Sequence, residues 1–353
     1  MKLLSILLFI FLLQHASGQV VLDADGPGNT YDLINSVLAP GYNPIETPDC
    51  NHAVFGEHID EYFDNELNAN VFRFYIHTTP DNDRCINFDR QRNEIKTYDK
   101  SPDNLLGVEN EKVVYKWKFK LDTGFQSSPN FTHLHQLKSV GGSLASMPMY
   151  TLTTRKGSPD RLELRYAETD KQVTLTKSDL APFIGTWLEV TETIEYGISG
   201  TYEIEIKRLK DEEILLAYSN FSIINWRPGV DFVRPKWGIY RSLINAQDLR
   251  DETVSFANFS IEEIGVISAQ NSEITDFAPS IFSNPATNII WIKNLPPKKG
   301  LIQLYKLDGR QVMAKTINSK TEVHLDVSSI PNGAYVLKLS GESFNYSKLV
   351  LIQ

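Results

Sequence analysis

Val113-Val114-Tyr115-Lys116-Trp117-Lys118-Phe119-Lys120-Leu121 puts Tyr115, Trp117, Phe119 and Leu121 on one face and three lysines on the other. A period of two is that of a β-strand with one side buried. The same alternation recurs in Phe72–His77, Leu162–Tyr166, Trp187–Tyr196 and Tyr202–Lys207. Helical spacing is scarce, and only short stretches such as His58–Leu67 offer room for a helix. Many short strands separated by Gly, Pro, Asn and Asp turns predict an all-β fold, a two-sheet sandwich of jelly-roll type.

The chain opens Met1-Lys2, runs apolar from Leu3 to Leu13 and reaches His15-Ala16-Ser17-Gly18 before Gln19. That order of charge, apolar core and small residues predicts a signal peptide over residues 1–18, hence export. The apolar run is too short to span a bilayer, and no later stretch approaches the roughly 20 apolar residues a transmembrane helix needs. Cys50 and Cys85 are the chain's two cysteines, and in an oxidising compartment they are expected to form one structural disulfide. The formal charge of −9 argues against general nucleic-acid binding. It leaves room for an anionic ligand, because a cleft can carry a local field opposite to the average.

From Gly265 to Ser280 the pattern lapses into small and polar residues before strands resume near Ile289. We therefore divide the mature chain into a large β-sandwich domain over 19–265, a linker over 266–280 and a small β-sandwich over 281–353. The last of these shows Leu307-Asp308-Gly309-Arg310, then Ile330-Pro331-Asn332-Gly333-Ala334-Tyr335-Val336-Leu337-Lys338-Leu339, then Lys348-Leu349-Val350. This order resembles the C-terminal sorting domains of the type IX secretion system, which implies engagement of that machinery and passage across the outer membrane, usually with loss of the domain. Few of its aromatics are spaced for sugar stacking, which argues against a carbohydrate-binding accessory module.

Between Phe72 and Arg241 the polar strand faces repeatedly present cations and hydrogen-bond donors: Arg73, Arg90, Arg92, His133, His135, Lys138, Arg155, Arg165, Lys236 and Arg241. Any one of them reads as a solvated strand face, but the ensemble in an acidic protein predicts a basic groove for an anionic substrate. Two segments concentrate the chemistry. In Phe131-Thr132-His133-Leu134-His135-Gln136-Leu137-Lys138, Leu134 and Leu137 are three apart, so strict alternation cannot bury both. A bulge between His135 and Gln136 resolves this, with the face of each histidine left open. In Lys236-Trp237-Gly238-Ile239-Tyr240-Arg241, Lys236, Gly238 and Tyr240 share a face and Trp237 and Ile239 point to the core. Gly238 is expected to leave room for a ligand, and a tyrosine flanked by cations is a candidate proton-transfer group.

These two strands and Arg90-Gln91-Arg92-Asn93-Glu94 are similar to the three active-site strands of jelly-roll polysaccharide lyases. Gln136-Leu137-Lys138 departs from the Gln-x-His motif common there by carrying lysine in place of histidine. The run from Val21-Leu22-Asp23-Ala24-Asp25-Gly26 to Ser242-Leu243-Ile244-Asn245 resembles most the ulvan lyases of polysaccharide lyase family 28. The resemblance implies β-elimination at a 4-linked uronate: the C5 proton is removed and O4 departs. That chemistry needs a base, an acid, and cations or amides to hold charge on the adjacent carboxylate.

On this reading Tyr240 is the acid, and also the base where stereochemistry allows, with His133 or His135 as base for the other epimer. Gln136, Arg92 and Lys138 neutralise the carboxylate, while Arg73, Arg155, Lys236 and Arg241 hold neighbouring sulfate or uronate groups. No cofactor or metal is required for this catalysis. Asp23 and Asp25 lie in a tight acidic loop that could take a structural calcium or be a plain turn. A jelly-roll hydrolase would need paired carboxylates, often as Glu-x-Asp-x-x-Glu on one strand, a motif this sequence lacks. A non-catalytic lectin would share the fold and the cationic face without needing the tyrosine and histidine strands together.

Overall fold

The computed structural model of the protein describes residues 19–264, 279–295, 298–306, 311–318, 320–341 and 344–353. The expected signal peptide, residues 266–278 of the expected linker, and Leu307-Asp308-Gly309-Arg310 lie outside the described residues. The chain divides into two compact units, Met1–Val266 and Ile267–Gln353.

Two antiparallel sheets build the first unit. One has the order β13 (Glu213–Ile223), β12 (Gly200–Arg208), β11 (Leu188–Glu195), β6 (Lys112–Leu121), β15 (Glu252–Ile264), β4 (Ala69–Ile76) and β3 (Ile59–Asp64), with β1 (Val20–Leu22) pairing on β15. The other has the order β10 (Val173–Asp179), β9 (Arg161–Tyr166), β8 (Tyr150–Arg155), β7 (Thr132–Gly141), β14 (Val230–Ser242), β5 (Arg90–Lys96) and β2 (Ile45–Glu46). This is the jelly-roll sandwich that the alternation predicts. Tyr115, Trp117, Phe119 and Leu121 of β6 are buried in one core cluster with Leu134, Leu152, Leu164, Trp237 and Ile239 of the second sheet. Burying each such side chain contributes roughly 1.5–3 kcal/mol, so the strand registers that place them there are strongly specified.

Among the described residues the α-helix is α1 (Thr30–Leu38), whose Thr30, Ile34 and Leu38 are buried at four-residue spacing. The stretch His58–Leu67 is not helical. Ile59–Asp64 pairs with β4 as β3, burying Ile59, Glu61 and Asp64. There the partner strand overrides local preference.

In the second unit, β16 (Ser280–Phe282), β17 (Ile289–Lys293) and β20 (Glu322–Asp326) form a three-stranded sheet. A four-stranded sheet of β19 (Gln311–Asn318), β18 (Lys299–Lys306), β21 (Gly333–Gly341) and β22 (Phe344–Ile352) completes it. Ile290, Ile292, Ile302, Leu304, Leu325, Leu337 and Leu339 make its core. Tyr335, at the start of β21, is buried and donates its hydroxyl hydrogen bond to the Pro331 carbonyl at 2.7 Å, tying the hairpin residues together.

Candidate active site

The bulge in β7 decides which side chains reach the outer face of the second sheet. The register of β7 shifts between His133 and His135 against β8, and at the facing residues Trp237 to Tyr240 of β14. The irregularity therefore falls one residue earlier than expected. Leu134, His135 and Leu137 all turn inward as a result, while His133, Gln136 and Lys138 turn outward. This answers the three-residue spacing of the leucines and separates the two histidines onto opposite faces.

His135 is a core residue and not a candidate base. Its ring lies 4.4 Å from Trp117 and 5.6 Å from Trp237, centroid to centroid. Its Nε2 is 2.8 Å from Glu192 Oε2, and Glu192 also accepts a 2.6 Å bond from the Tyr202 hydroxyl. Three further expected ligand contacts fall away, among them Lys236, which is buried against Glu46 and Glu94. Arg73 lies on β4 in the opposite sheet, in a bidentate pair with Asp60 at 2.9 and 2.7 Å. Arg241 is fully buried, donating to Gln91 Oε1 at 2.7 Å and to the Arg250 carbonyl at 2.9 Å.

His133 and Tyr240 come together on the outer face. They are register partners on adjacent strands, with ring centroids 5.7 Å apart. Phe131 stacks on His133 at 4.8 Å and leans on Tyr240 at 5.1 Å. The Arg92 guanidinium lies over the Tyr240 ring at 3.7 Å, and Arg90 donates a 3.0 Å bond to the Tyr240 hydroxyl. Burial pushes the His133 imidazole down to about 3; Arg155, Arg92 and Arg165 add to the effect and Glu94 opposes it. His133 is thus neutral near pH 7, with its buried Nδ1 unpartnered among the described residues.

Sequence reasoning missed Glu94 and Glu46, which organise the donors beside this pair. The Glu94 carboxylate accepts from Gln136 and Arg92 and pairs with Lys236 at 2.7 Å. Glu46, its register partner on β2, binds Lys236, Lys96 at 2.7 Å and Arg84 at 2.8 Å. Asp83 holds Arg92 Nε at 2.9 Å. Burial works to raise the Glu94 carboxyl, but Lys236 and Arg92 hold it below the usual carboxylate range. Lys236, Arg92 and Gln136 are therefore internally satisfied and form a rigid floor, which buried charges require. The signal was there in Arg92-Glu94-Lys96, alternate residues of one strand face with alternating charge.

Gly238 does not make room for a ligand. Its φ is +145°, and a Cβ would stand 2.1 Å from the Asn93 carbonyl oxygen and 2.8 Å from the Glu94 Cα. The glycine is required by the close approach of β5.

Other cations remain available. Lys138 and Arg234 are register partners at one end of the β7–β14 pair, and the buried Arg234 Nε has no hydrogen-bond partner among the described residues. Burial pushes the Lys138 ammonium down to about 8, with Lys236, Arg92 and Arg234 adding to the shift. Arg155 and Arg165, 3.4 and 3.0 Å from the shared Glu163 carboxylate, flank His133 from the β8–β9 side. Cys50 and Cys85 form the expected disulfide. Asp23 accepts a 2.7 Å bond from Asn258.

No curated protein matches the sequence. Among solved structures the chain is similar to the marine PL-14 alginate lyase from Aplysia kurodai, with 12% identity and a TM-score of 0.48 over 70% of this chain and 99% of that one. It is also similar to the endo-beta-1,4-glucuronan lyase from the fungus Trichoderma reesei, with 12% identity and a TM-score of 0.40 over 59% and 88%. An alginate lyase from Pseudomonas aeruginosa matches with 13% identity and a TM-score of 0.39 over 57% and 85%. No helix among the described residues is long and apolar enough to cross a membrane. Residues 280–353 match the family model described as the secretion system C-terminal sorting domain, and the protein is accordingly a secreted one, addressed by that domain to the cell surface or the medium.

Proposed function

We propose that the protein is a polysaccharide lyase that cleaves 4-linked uronic-acid polymers by β-elimination, with ulvan as its substrate. The observation that carries this reading is the pairing of His133 with Tyr240 on the outer face of the second sheet, with Arg92 over the ring and Arg90 at the hydroxyl. A neutral imidazole and a phenol side by side supply the base and the acid that elimination needs. Arginines around them favour charge accumulating on the uronate carboxylate as the C5 proton leaves.

His133 takes the C5 proton, the C–H electron pair forms the C4–C5 double bond, the C4–O4 bond breaks, and Tyr240 protonates the departing O4. For the epimer whose C5 proton faces Tyr240, the phenolate form takes that proton and then returns it, as phenol, to the departing O4. The uronate carboxylate sits against Arg90, over the floor that Arg92 and Gln136 build with Glu94. Lys138, Arg234, Arg155 and Arg165 receive sulfate or uronate groups of neighbouring residues. An approaching carboxylate also offsets the arginine field that adds to the effect of burial on His133, raising its basicity when substrate is bound. Ulvan is placed first on the likeness of residues 21–245 to ulvan lyases.

The test is incubation of the full mature chain with ulvan, alginate, glucuronan and heparin, following the ultraviolet absorbance of unsaturated uronate. A rise with ulvan alone supports the proposal in full, and a rise with another polyuronate keeps the chemistry and replaces the substrate. Binding without any rise leaves a lectin and ends the elimination reading.

A further inference from the structure

A second constellation stands apart from the elimination site, on the loops before β3 and after β4. His52, His58, His77 and Asp81 each offer one ligand atom, and these atoms all lie within 4.8 Å of one another. The three imidazoles converge on one carboxylate. Asp81 Oδ1 is 2.8 Å from His52 Nδ1 and 3.3 Å from His58 Nε2, and Oδ2 is 3.0 Å from His77 Nδ1. The Asp81 side chain is wholly buried, as is that of His58, while His52 and His77 are about one-fifth exposed.

A second, independent observation concerns how the histidine at the back is aimed. His58 Nδ1 is 2.7 Å from Asp49 Oδ1, and the other oxygen of Asp49 accepts a 2.8 Å bond from the Tyr31 hydroxyl. The ring is thereby fixed with Nε2 directed into the cluster, where that buried nitrogen has no hydrogen-bond partner among the described residues. A carboxylate on the far nitrogen of a ligating histidine is the usual outer support of a metal site. The Phe55 ring covers the assembly at 4.4 Å from His77 and 4.7 Å from His58, and the Cys50–Cys85 disulfide joins the two loops beside it.

We propose that His52, His58, His77 and Asp81 form a structural zinc site. Three nitrogens and one carboxylate oxygen suit a borderline ion of tetrahedral habit, and four protein ligands close the coordination sphere, as structural zinc sites do. Calcium and magnesium, which take oxygen ligands, do not fit this donor set. The site has a consequence at a distance. The loop it fixes runs on from Asp81 to Asp83 and Arg84, and these hold Arg92 and Glu46. The metal thus orders the segment that positions the guanidinium stacked on Tyr240.

The experiment uses the untagged full-length mature chain, stripped with a strong chelator, reloaded with excess zinc and dialysed, with metal counted by mass spectrometry. About one zinc ion per chain is expected. Its removal lowers the melting temperature reversibly, and Co2+ in its place shows the intense visible bands of tetrahedral coordination. The double variant His52→Ala/His77→Ala, at the two partly exposed positions, is expected to retain no metal while keeping the near-ultraviolet circular dichroism of a folded chain. Should that variant fail to fold, the Co2+ spectrum of the wild type decides alone. Zinc retained by the wild type only at the level of the folded double variant, or a weak octahedral Co2+ spectrum, overturns the proposal. None of these readouts depends on lyase activity.

Discussion

The Arg92 guanidinium lies 3.7 Å from the centre of the Tyr240 ring, so a buried charge rests on the face of the residue assigned the proton transfer. Such a contact fixes the ring plane as well as its field. Tyr240→Phe keeps the ring and the stack but deletes the hydroxyl that Arg90 contacts. Turnover is expected to fall by about 10²–10⁴-fold, the usual contribution of a positioned acid or base, with substrate affinity within about threefold of wild type. Steady-state rates and calorimetric titration on the same polymer separate the two, and equal loss of rate and affinity would give Tyr240 a binding role only.

Glu94 is fully buried and bonded to Arg92, Gln136 and Lys236. Glu94→Ala strips two buried cations of their shared partner and should destabilise the fold by roughly 3–5 kcal/mol. Urea unfolding measures this directly. A loss below about 1 kcal/mol, the scale of an exposed pair, would mean that Glu46 and Asp83 suffice to hold the floor.

The sandwich was legible because alternation states which side chains are buried, as in β6, whose Tyr115, Trp117, Phe119 and Leu121 all lie in the core. The site was only half legible. Alternation says that a bulge must exist between Leu134 and Leu137 but not where, and one residue of displacement sends His135 to the core in place of the outer face. Arg73 illustrates a different limit: an outward cation on a strand looks the same in either sheet, and sheet membership is set by long-range pairing. The histidine cluster draws on two loops separated by two strands, so no spacing within one element announces it.

Protonation of His133 should couple acidity to unfolding. Its folded value, about 3, lies below the ordinary histidine value near 6.5, so the unfolded chain binds the proton more readily throughout that window. Stability therefore falls as pH drops from about 6.5 towards 3, by at most about 1.4 kcal/mol per pH unit from this group. His133→Gln, which carries no titrating ring, should show a shallower decline in urea midpoint over that range. Parallel curves for the two proteins would contradict the depressed value.

Lys138, held at about 8, should make substrate binding pH-dependent on the alkaline side. Above that value the ammonium loses its charge, so KM for an anionic polymer is expected to rise by up to about tenfold per pH unit. Lys138→Arg remains charged there and should flatten the rise while leaving kcat unchanged. An identical alkaline profile in both proteins would assign the effect to another group.

Gly238 offers a test in which two physical explanations predict opposite readouts. If the glycine were there to admit substrate, Gly238→Ala would raise KM and leave the melting temperature in place. The geometry gives it another task, because φ of +145° and a Cβ placed 2.1 Å from the Asn93 carbonyl oxygen put both strain and collision in the backbone. Backbone strain of this kind costs roughly 1–3 kcal/mol, and the clash can be relieved only by parting β14 from β5. Tyr240 and Arg92 are register partners two residues along those strands, so parting them also disturbs the stacked pair. Gly238→Ala should therefore lower both the melting temperature and kcat, with a smaller effect on KM. A stable variant with only KM raised would return the glycine to the role of ligand space.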